Sequence, residues 1–227
     1  MNRITILTGA GISAESGIKT FRDADGLWEG HDIMEVATPE GFKKNKALVL
    51  EFYNQRRRQL LSVQPNTAHY GLVTLEKENI VHIITQNVDD LHERAGSKNV
   101  LHLHGELLKS RSTFNPNLIY NCTTDINIGD KCEKNAQLRP HIVWFGEAVP
   151  MLDKAVEIVA QTDILVVIGT SMQVYPAASL VNYIMHNTPI YFIDPKPAIN
   201  ASDYTNLTIL KATATEGMKQ LIKILAI

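Results

Sequence analysis

Cysteine is scarce in this chain: Cys122 and Cys132 are the only thiols in 227 residues, with nine residues between them in a polar stretch. That excludes the disulfide framework of a small secreted domain, and two thiols do not complete a four-ligand zinc site. Excess charge of one sign is also missing. With 22 basic and 24 acidic residues the net charge is -2, which gives no basic footprint for nucleic acid. No apolar run approaches the roughly 18 residues of a membrane span. Residues Met1, Asn2 and Arg3 lead straight into an apolar run, without the pattern of a leader peptide, so a cytoplasmic enzyme is expected. What is present, 44% hydrophobic and 20% charged residues, is the composition of a globular protein with a sizeable core.

Short β-rich runs recur at 4–7, 80–85, 100–103, 142–144, 164–168, 190–193 and 207–210. Apolar residues at spacings of three and four mark helices over 67–78, 151–160, 176–185 and 215–226. This alternation predicts an α/β fold with a Rossmann-like, doubly wound parallel sheet. Near-continuous apolar runs such as 164–168 suit strands covered on both faces. Two segments break the alternation. Residues 25–63 look helical, with Pro39 opening one helix and 47–61 forming another, while 108–139 is rich in Asn, Thr and Lys and poorly periodic. Together they are expected to form a smaller lobe, leaving 1–24, 64–107 and 140–227 for the large one.

Gly9, Gly11 and Ala14 follow the first apolar run and fit G-x-G-x-x-G/A. In that pattern the first glycine turns the chain, the second admits a pyrophosphate, and the third small residue lets helix and strand close together. A helix N-terminus there would offer N–H groups to phosphate. A dehydrogenase would then continue into a second strand ending in an acidic ribose ligand. Residues 20–31 (TFRDADGLWEGH) have no strand pattern, so a nucleotide is expected without hydride transfer. Gln86, Asn87 and Asp89 lie just past the run 80–85, where side chains can fix sugar hydroxyls and an amide. Asn87 or Asp89 could equally cap the helix that follows. His102 and His104 lie two apart and so share a strand face, His104 before a glycine, which suits either a general base or a buried structural histidine. Gly169, Thr170 and Ser171 close another strand with a turn small enough for phosphate or ribose.

These residues add up to a family. Gly9-Ala-Gly-Ile-Ser13, Phe21-Arg22-Asp23, Thr85-Gln-Asn-Val-Asp89, His102-Leu-His-Gly105, Trp144-Phe-Gly-Glu147 and Gly169-Thr-Ser171 occur in order and spacing as in the sirtuins, NAD-dependent protein lysine deacylases, which the chain resembles along its whole length. The resemblance implies that NAD is consumed as a co-substrate. The acyl-lysine oxygen attacks C1′ of the nicotinamide ribose, nicotinamide leaves, and the products are free lysine and O-acyl-ADP-ribose. It further implies that His104 is the base, that Asn87 and Asp89 line the nicotinamide pocket, and that Gln86 holds the ribose. Gly9, Ala10, Gly11, Gly169, Thr170 and Ser171 would take phosphates and adenine ribose, with Phe21 and Arg22 on a loop over the cofactor. Asp194 stands where the family more often has Asn to meet the adenosine ribose, and Ala214 is the candidate backbone contact to adenine. The partner is an acyl-lysine protein or peptide, bound by a monomer as a strand between Val143, Phe145, Gly146 and Glu147 on one side and Val174 on the other.

The resemblance is closest to the class with acidic-acyl activity, since Ala37-Thr-Pro-Glu-Gly-Phe42 and Phe52-Tyr-Asn-Gln-Arg56 also match. Tyr53 and Arg56, three apart on a helix, share a face and can converge on one carboxylate. In that class the pair recognises malonyl, succinyl or glutaryl groups, beside a small alanine matched by Ala37. From spacing alone Arg57 could serve as well, or 56–58 could be a solvated charge run. A deacetylase, an ADP-ribosyltransferase and a silent NAD-binding module stand as alternatives. The family's four-cysteine zinc site is not expected, because Ser112 and Asn135 stand where cysteines belong and Cys122 is off the ligand spacing. Packing by Phe114, Leu118, Ile119, Tyr120 and Ile126 would then hold that lobe. The purified protein should carry no stoichiometric zinc and keep its circular dichroism in chelator. Metal analysis finding about one zinc per chain would contradict this.

Overall fold

The computed structural model describes residues 1–19, 27–28, 30–199 and 204–225. Its strands are β1 (Arg3–Thr8), β2 (Leu27–Trp28), β3 (His31–Asp32), β4 (Ile80–Thr85), β5 (Val100–His102), β6 (Gly105–Ser112), β7 (Ile119–Asn121), β8 (Leu138–Ile142), β9 (Ile164–Ile168), β10 (Ile190–Ile193) and β11 (Leu207–Leu210). Its α-helices are α1 (Ile33–Val36), α2 (Pro39–Lys44), α3 (Lys46–Ser62), α4 (Thr67–Leu75), α5 (Leu91–Ala95), α6 (Leu152–Val159) and α7 (Ala214–Ile224).

Six strands form one parallel sheet in the order β11-β10-β9-β1-β4-β5. The chain runs outward from β1 in one direction and from β9 in the other, so the order reverses between these two neighbours. Such a reversal opens a crevice at the carboxyl ends of the strands. Alternate residues explain the two-sided burial. Ile4, Ile6, Val166 and Ile168 pack with α4 and α7 through Leu72, Leu75, Met218 and Leu221. Leu7, Leu165, Val167 and Phe192 pack the other way with α6 and residues 177–183 through Ala155, Val159, Leu180 and Val181.

A second, antiparallel sheet, β7-β6-β8, stands beside α3. Its apolar cluster joins Leu107, Cys122, Ile126 and Ile142 to Val49, Leu50, Phe52, Tyr53 and Leu60 of α3. Helix starts are locally encoded. Thr38 caps α2 by accepting from the Gly41 N–H, with Pro39 in the first turn. Asn45 caps α3, and Asn66 with His69 forms a capping box on α4.

Three expectations need correction. The strand expected at 142–144 is β8, which ends at Ile142, because the antiparallel pairing with β6 claims 138–142 and leaves Trp144 in the loop beyond. The helix expected over 176–185 is a 3-10 helix, Ala177–Tyr183. Phe114 and Ile119 are exposed and do not pack the small sheet; Ile126 and Cys122 do. Ser112 ends β6, its hydroxyl accepting from Phe114 N, Asn115 N and the Cys132 thiol.

Two buried histidines lie under the large sheet. His92 Nε2 is 3.0 Å from Thr8 Oγ1, and its ring centroid is 5.0 Å from that of His69. Burial pushes His69 from 6.5 down to about 4 and His92 well down in the same direction. The unfolded chain therefore takes up protons that the folded one refuses, so the stabilisation from His69 is complete above pH 6.5 and drains away toward pH 4, with His92 acting in the same direction. His69→Gln keeps a side chain suited to the capping box. Thermal midpoints should fall less steeply between pH 6.5 and 4 for this variant than for wild type; parallel curves would show that His69 titrates normally.

Candidate active site

The crevice is built on a contact that leaves no room for side chains. Gly9 N donates to Ile168 O at 3.0 Å and Gly11 N to Gly169 O at 2.8 Å, stitching the ends of β1 and β9 together. A Cβ on Gly11 would lie 2.6 Å from Gly169 Cα, and Gly169 itself has φ +64°, where a side chain is strained. Beyond the glycines the chain makes two 3-10 turns, Ala10–Ile12 and Ala14–Ser16, in place of the helix start suggested by the motif.

One cavity of about 820 Å³ opens here. It is lined by Gly9, Ala10, Gly11, Gln86, Asn87, Asp89, His104, Gly169, Thr170, Ser171, Asp194 and Ala214, and by Ala37, Tyr53, Arg56, Val143, Phe145, Gly146, Glu147 and Val174. Phe21 and Arg22 lie outside the described residues. Every other residue singled out as a cofactor or substrate contact lines this cavity.

The loop after β4 carries the densest polar chemistry. Asn87 Nδ2 donates to Gly9 O at 3.2 Å and to Ser13 Oγ at 3.3 Å, and Ser13 Oγ donates in turn to Asp89 Oδ2 at 3.0 Å. The other Asp89 oxygen accepts from Leu91 N at 3.2 Å, so Asp89 both faces the cavity and serves the start of α5. Burial raises the Asp89 carboxyl from 3.8 to about 6, although these donors pull it back. Such a group is poised to accept or donate near neutrality.

The two histidines take different positions. His104 Nδ1 is 3.0 Å from Gln86 O, and a carbonyl can only accept, so Nδ1 carries the proton and Nε2 is left as an acceptor. Burial lowers its pKa, which keeps the ring neutral and basic. His102 does not line the cavity. Its Nδ1 donates to Asn87 O at 3.0 Å and its Nε2 is 2.8 Å from Glu93. Burial opposes charge on His102, but the Glu93 carboxylate outweighs it and the pKa rises. Each ring thus holds one carbonyl of 86–87.

The three arginines of α3 also separate. Arg56 lines the cavity, donates to Phe52 O at 2.6 Å and lies 3.6 Å above the Phe52 ring. Arg57 is fully buried and donates to Leu107 O and Asn54 Oδ1. Arg58 is exposed, paired with Glu51 and Asp125. Neither Arg57 as partner of Tyr53 nor a uniformly solvated run matches this arrangement. The Tyr53 phenol is buried, and its oxygen accepts from Trp144 Nε1 at 3.0 Å.

Glu147 lines the cavity with its carboxylate turned toward the small sheet. It accepts from Arg139 at 2.7 Å, Arg111 at 2.9 Å and Trp144 N at 2.8 Å. Ser13, which bridges Asn87 and Asp89, and Trp144, which donates to the Tyr53 oxygen, both stand inside contiguous motifs of the sequence. Arg111 and Arg139 carried no local signal, because only the β6–β8 pairing brings them together.

The Sir2 family model matches residues 9–176. The chain belongs to the Sir2 family. A relative from Helicobacter pylori, named NAD-dependent protein deacylase, is 60% identical over 98% of this chain and 96% of its own length. One of the same name from Bacteroides thetaiotaomicron is 50% identical over 99% of this chain and 98% of its own. The crystal structure of a Sir2 homolog–NAD complex has a TM-score of 0.88 at 40% identity, covering 99% of this chain and 89% of that one. The Sir2 crevice rests on the glycine contact, so Gly11→Ala should cost several degrees of melting temperature and most NAD affinity by calorimetry. Unaltered binding would mean the β1–β9 junction yields more easily than its packing implies.

Proposed function

We infer that this chain is an NAD-dependent protein lysine deacylase whose acyl pocket favours acidic groups such as succinyl and malonyl over acetyl. The observation that carries the acyl preference is that the Tyr53 phenol and the Arg56 guanidinium line the same cavity as His104, beside the small side chain of Ala37. Two hydrogen-bond donors, one of them cationic, suit a carboxylate at the tip of the acyl chain.

The residues fit NAD. The glycine crossing is a cradle that a Cβ would fill, and a buried amide, Asn87, and a buried carboxyl, Asp89, stand in the same cavity. In this reading Gly9, Ala10, Gly11, Gly169, Thr170 and Ser171 hold phosphates and adenine ribose, Asp194 the ribose diol and Ala214 the adenine edge. Phe21 and Arg22 belong to the covering loop. Asn87 and Asp89 take the carboxamide and Gln86, whose amide donates to Thr170 Oγ1 at 3.1 Å, the nearer ribose. When bound, NAD supplies an electrophilic ribose carbon with nicotinamide as leaving group. His104 Nε2 accepts a ribose hydroxyl proton, its tautomer fixed by the Gln86 carbonyl. Asp89, half protonated near pH 6, holds an amide by accepting or donating. Val143, Phe145, Gly146, Glu147 and Val174 border the acyl-lysine peptide, which joins them by main-chain pairing.

Among the described residues no helix is long and apolar enough to cross a membrane. The reading has a cytoplasmic monomer acting on acyl-lysine proteins, without nucleic acid, and divided into lobes 1–24, 64–107 and 140–227 against 25–63 and 108–139. A mass-spectrometric time course on acetyl and succinyl peptides of one sequence tests it. His104→Ala should lose turnover of both. Arg56→Met should lower kcat/KM for succinyl by about thirtyfold, the worth of a charged hydrogen bond, with a much smaller change for acetyl. Equal losses would make Arg56 structural and leave a general deacylase; no turnover by wild type would leave an NAD-binding module.

A further inference from the structure

The cavity wall contains one polar contact that the reaction itself does not require. Trp144 Nε1 donates to the Tyr53 hydroxyl at 3.0 Å, and both side chains are buried and line the cavity. An indole nitrogen can only donate, so the phenolic oxygen is the acceptor in this pair. The phenol's own hydrogen must then point elsewhere. Among the described residues no acceptor takes it. Without the indole, a phenol can turn its lone pairs or its hydrogen toward a ligand. With it, one lone pair is occupied from within the protein, and the hydroxyl presents its hydrogen to the cavity.

We propose that Trp144 is a positioning residue for acyl selection: its indole N–H holds the Tyr53 hydroxyl as a donor aimed into the acyl pocket, matched to the oxygens of an acidic acyl group. The inference rests on the acidic-acyl reading above. Three further contacts fit it. Arg139 lies 3.2 Å from the Trp144 ring centroid, and a cation on the indole face draws electron density from the N–H and makes it a better donor. The ring is packed against Phe42, centroids 5.2 Å apart. Its backbone is held too, since Trp144 N donates to Glu147, which Arg139 and Arg111 clamp. The indole therefore has one orientation, and the phenol inherits it.

The test uses full-length Trp144→Phe, Tyr53→Phe, the double variant and Arg56→Met, with acetyl and succinyl peptides of one sequence and NAD at saturation. Phenylalanine keeps an aromatic ring against Arg139 and Phe42 and removes the N–H. Trp144→Phe should lower the succinyl-to-acetyl ratio of kcat/KM about fivefold, the worth of one neutral hydrogen bond. The loss should appear in the succinyl KM with little change in kcat. In the Tyr53→Phe background the same substitution should change the ratio no further, because its effect passes through the hydroxyl. A ratio unaffected by Trp144→Phe, or lowered equally with and without the hydroxyl, overturns the role of Trp144. A parallel fall for both peptides, through kcat, makes the residue merely structural and overturns it as well. If Arg56→Met leaves the wild-type ratio intact, the acidic-acyl reading itself fails and the proposal falls with it. If Arg56→Met collapses the ratio while Trp144→Phe does not, only the tryptophan's role is lost.

Discussion

Two loops meet where no Cβ can stand, and the rest of the molecule is arranged around that meeting. Gly9 and Gly11 leave β1 against Gly169 leaving β9, close enough that main-chain N–H groups bond across the gap. The six-stranded order reverses at this pair, so the helices depart to opposite sides and the crevice stays open above it. Sheet packing provides the rigidity: β1 and β9 are buried on both faces, and their ends move only if both apolar layers move. A crevice floor built from backbone on such a base needs little adaptation from side chains.

The side of the cavity bordered by α3 is organised differently. There, side chains from α3 and from the loop after β8 face one another, and charge fixes the loop. Glu147 collects donors from β6, from β8 and from its own turn, which ties the small antiparallel sheet to the cavity wall. The apolar cluster running from Leu107 and Ile126 through Phe52 and Tyr53 to Trp144 makes the same connection in hydrophobic contact. Changes in the small sheet therefore reach this side of the cavity through two materials, one ionic and the other apolar.

Much of this was legible in the chain because the signals are local. Apolar runs such as Ile164 to Ile168 have the composition of doubly covered strands and are just that, and Pro39 marks a helix start that forms. The motifs around Gly9, Gln86, His104 and Gly169 are contiguous, so their meeting at one crevice follows from strand order alone. What escaped depends on pairing across distance. β8 claims Leu138 to Ile142 through its register with β6, a partner that periodicity cannot name. His102 and His104 share a spacing but separate at the strand end, one turned to Glu93 and one to the cavity. Phe114 and Ile119 are apolar by type yet exposed.

The three consecutive arginines of α3 show how a helix partitions its obligations. Arg57 satisfies Leu107 and Asn54 inside the protein and is bound to folding; Arg58 reaches Glu51 and Asp125 in solvent and is bound to little. Only Arg56 faces the cavity. In the acidic-acyl reading proposed above, the residue that sets chemical preference occupies a helix face separate from the face that sustains the fold. On that reading position 56 can change substrate range while its neighbour at 57 answers for a stable chain, two obligations held in adjacent codons.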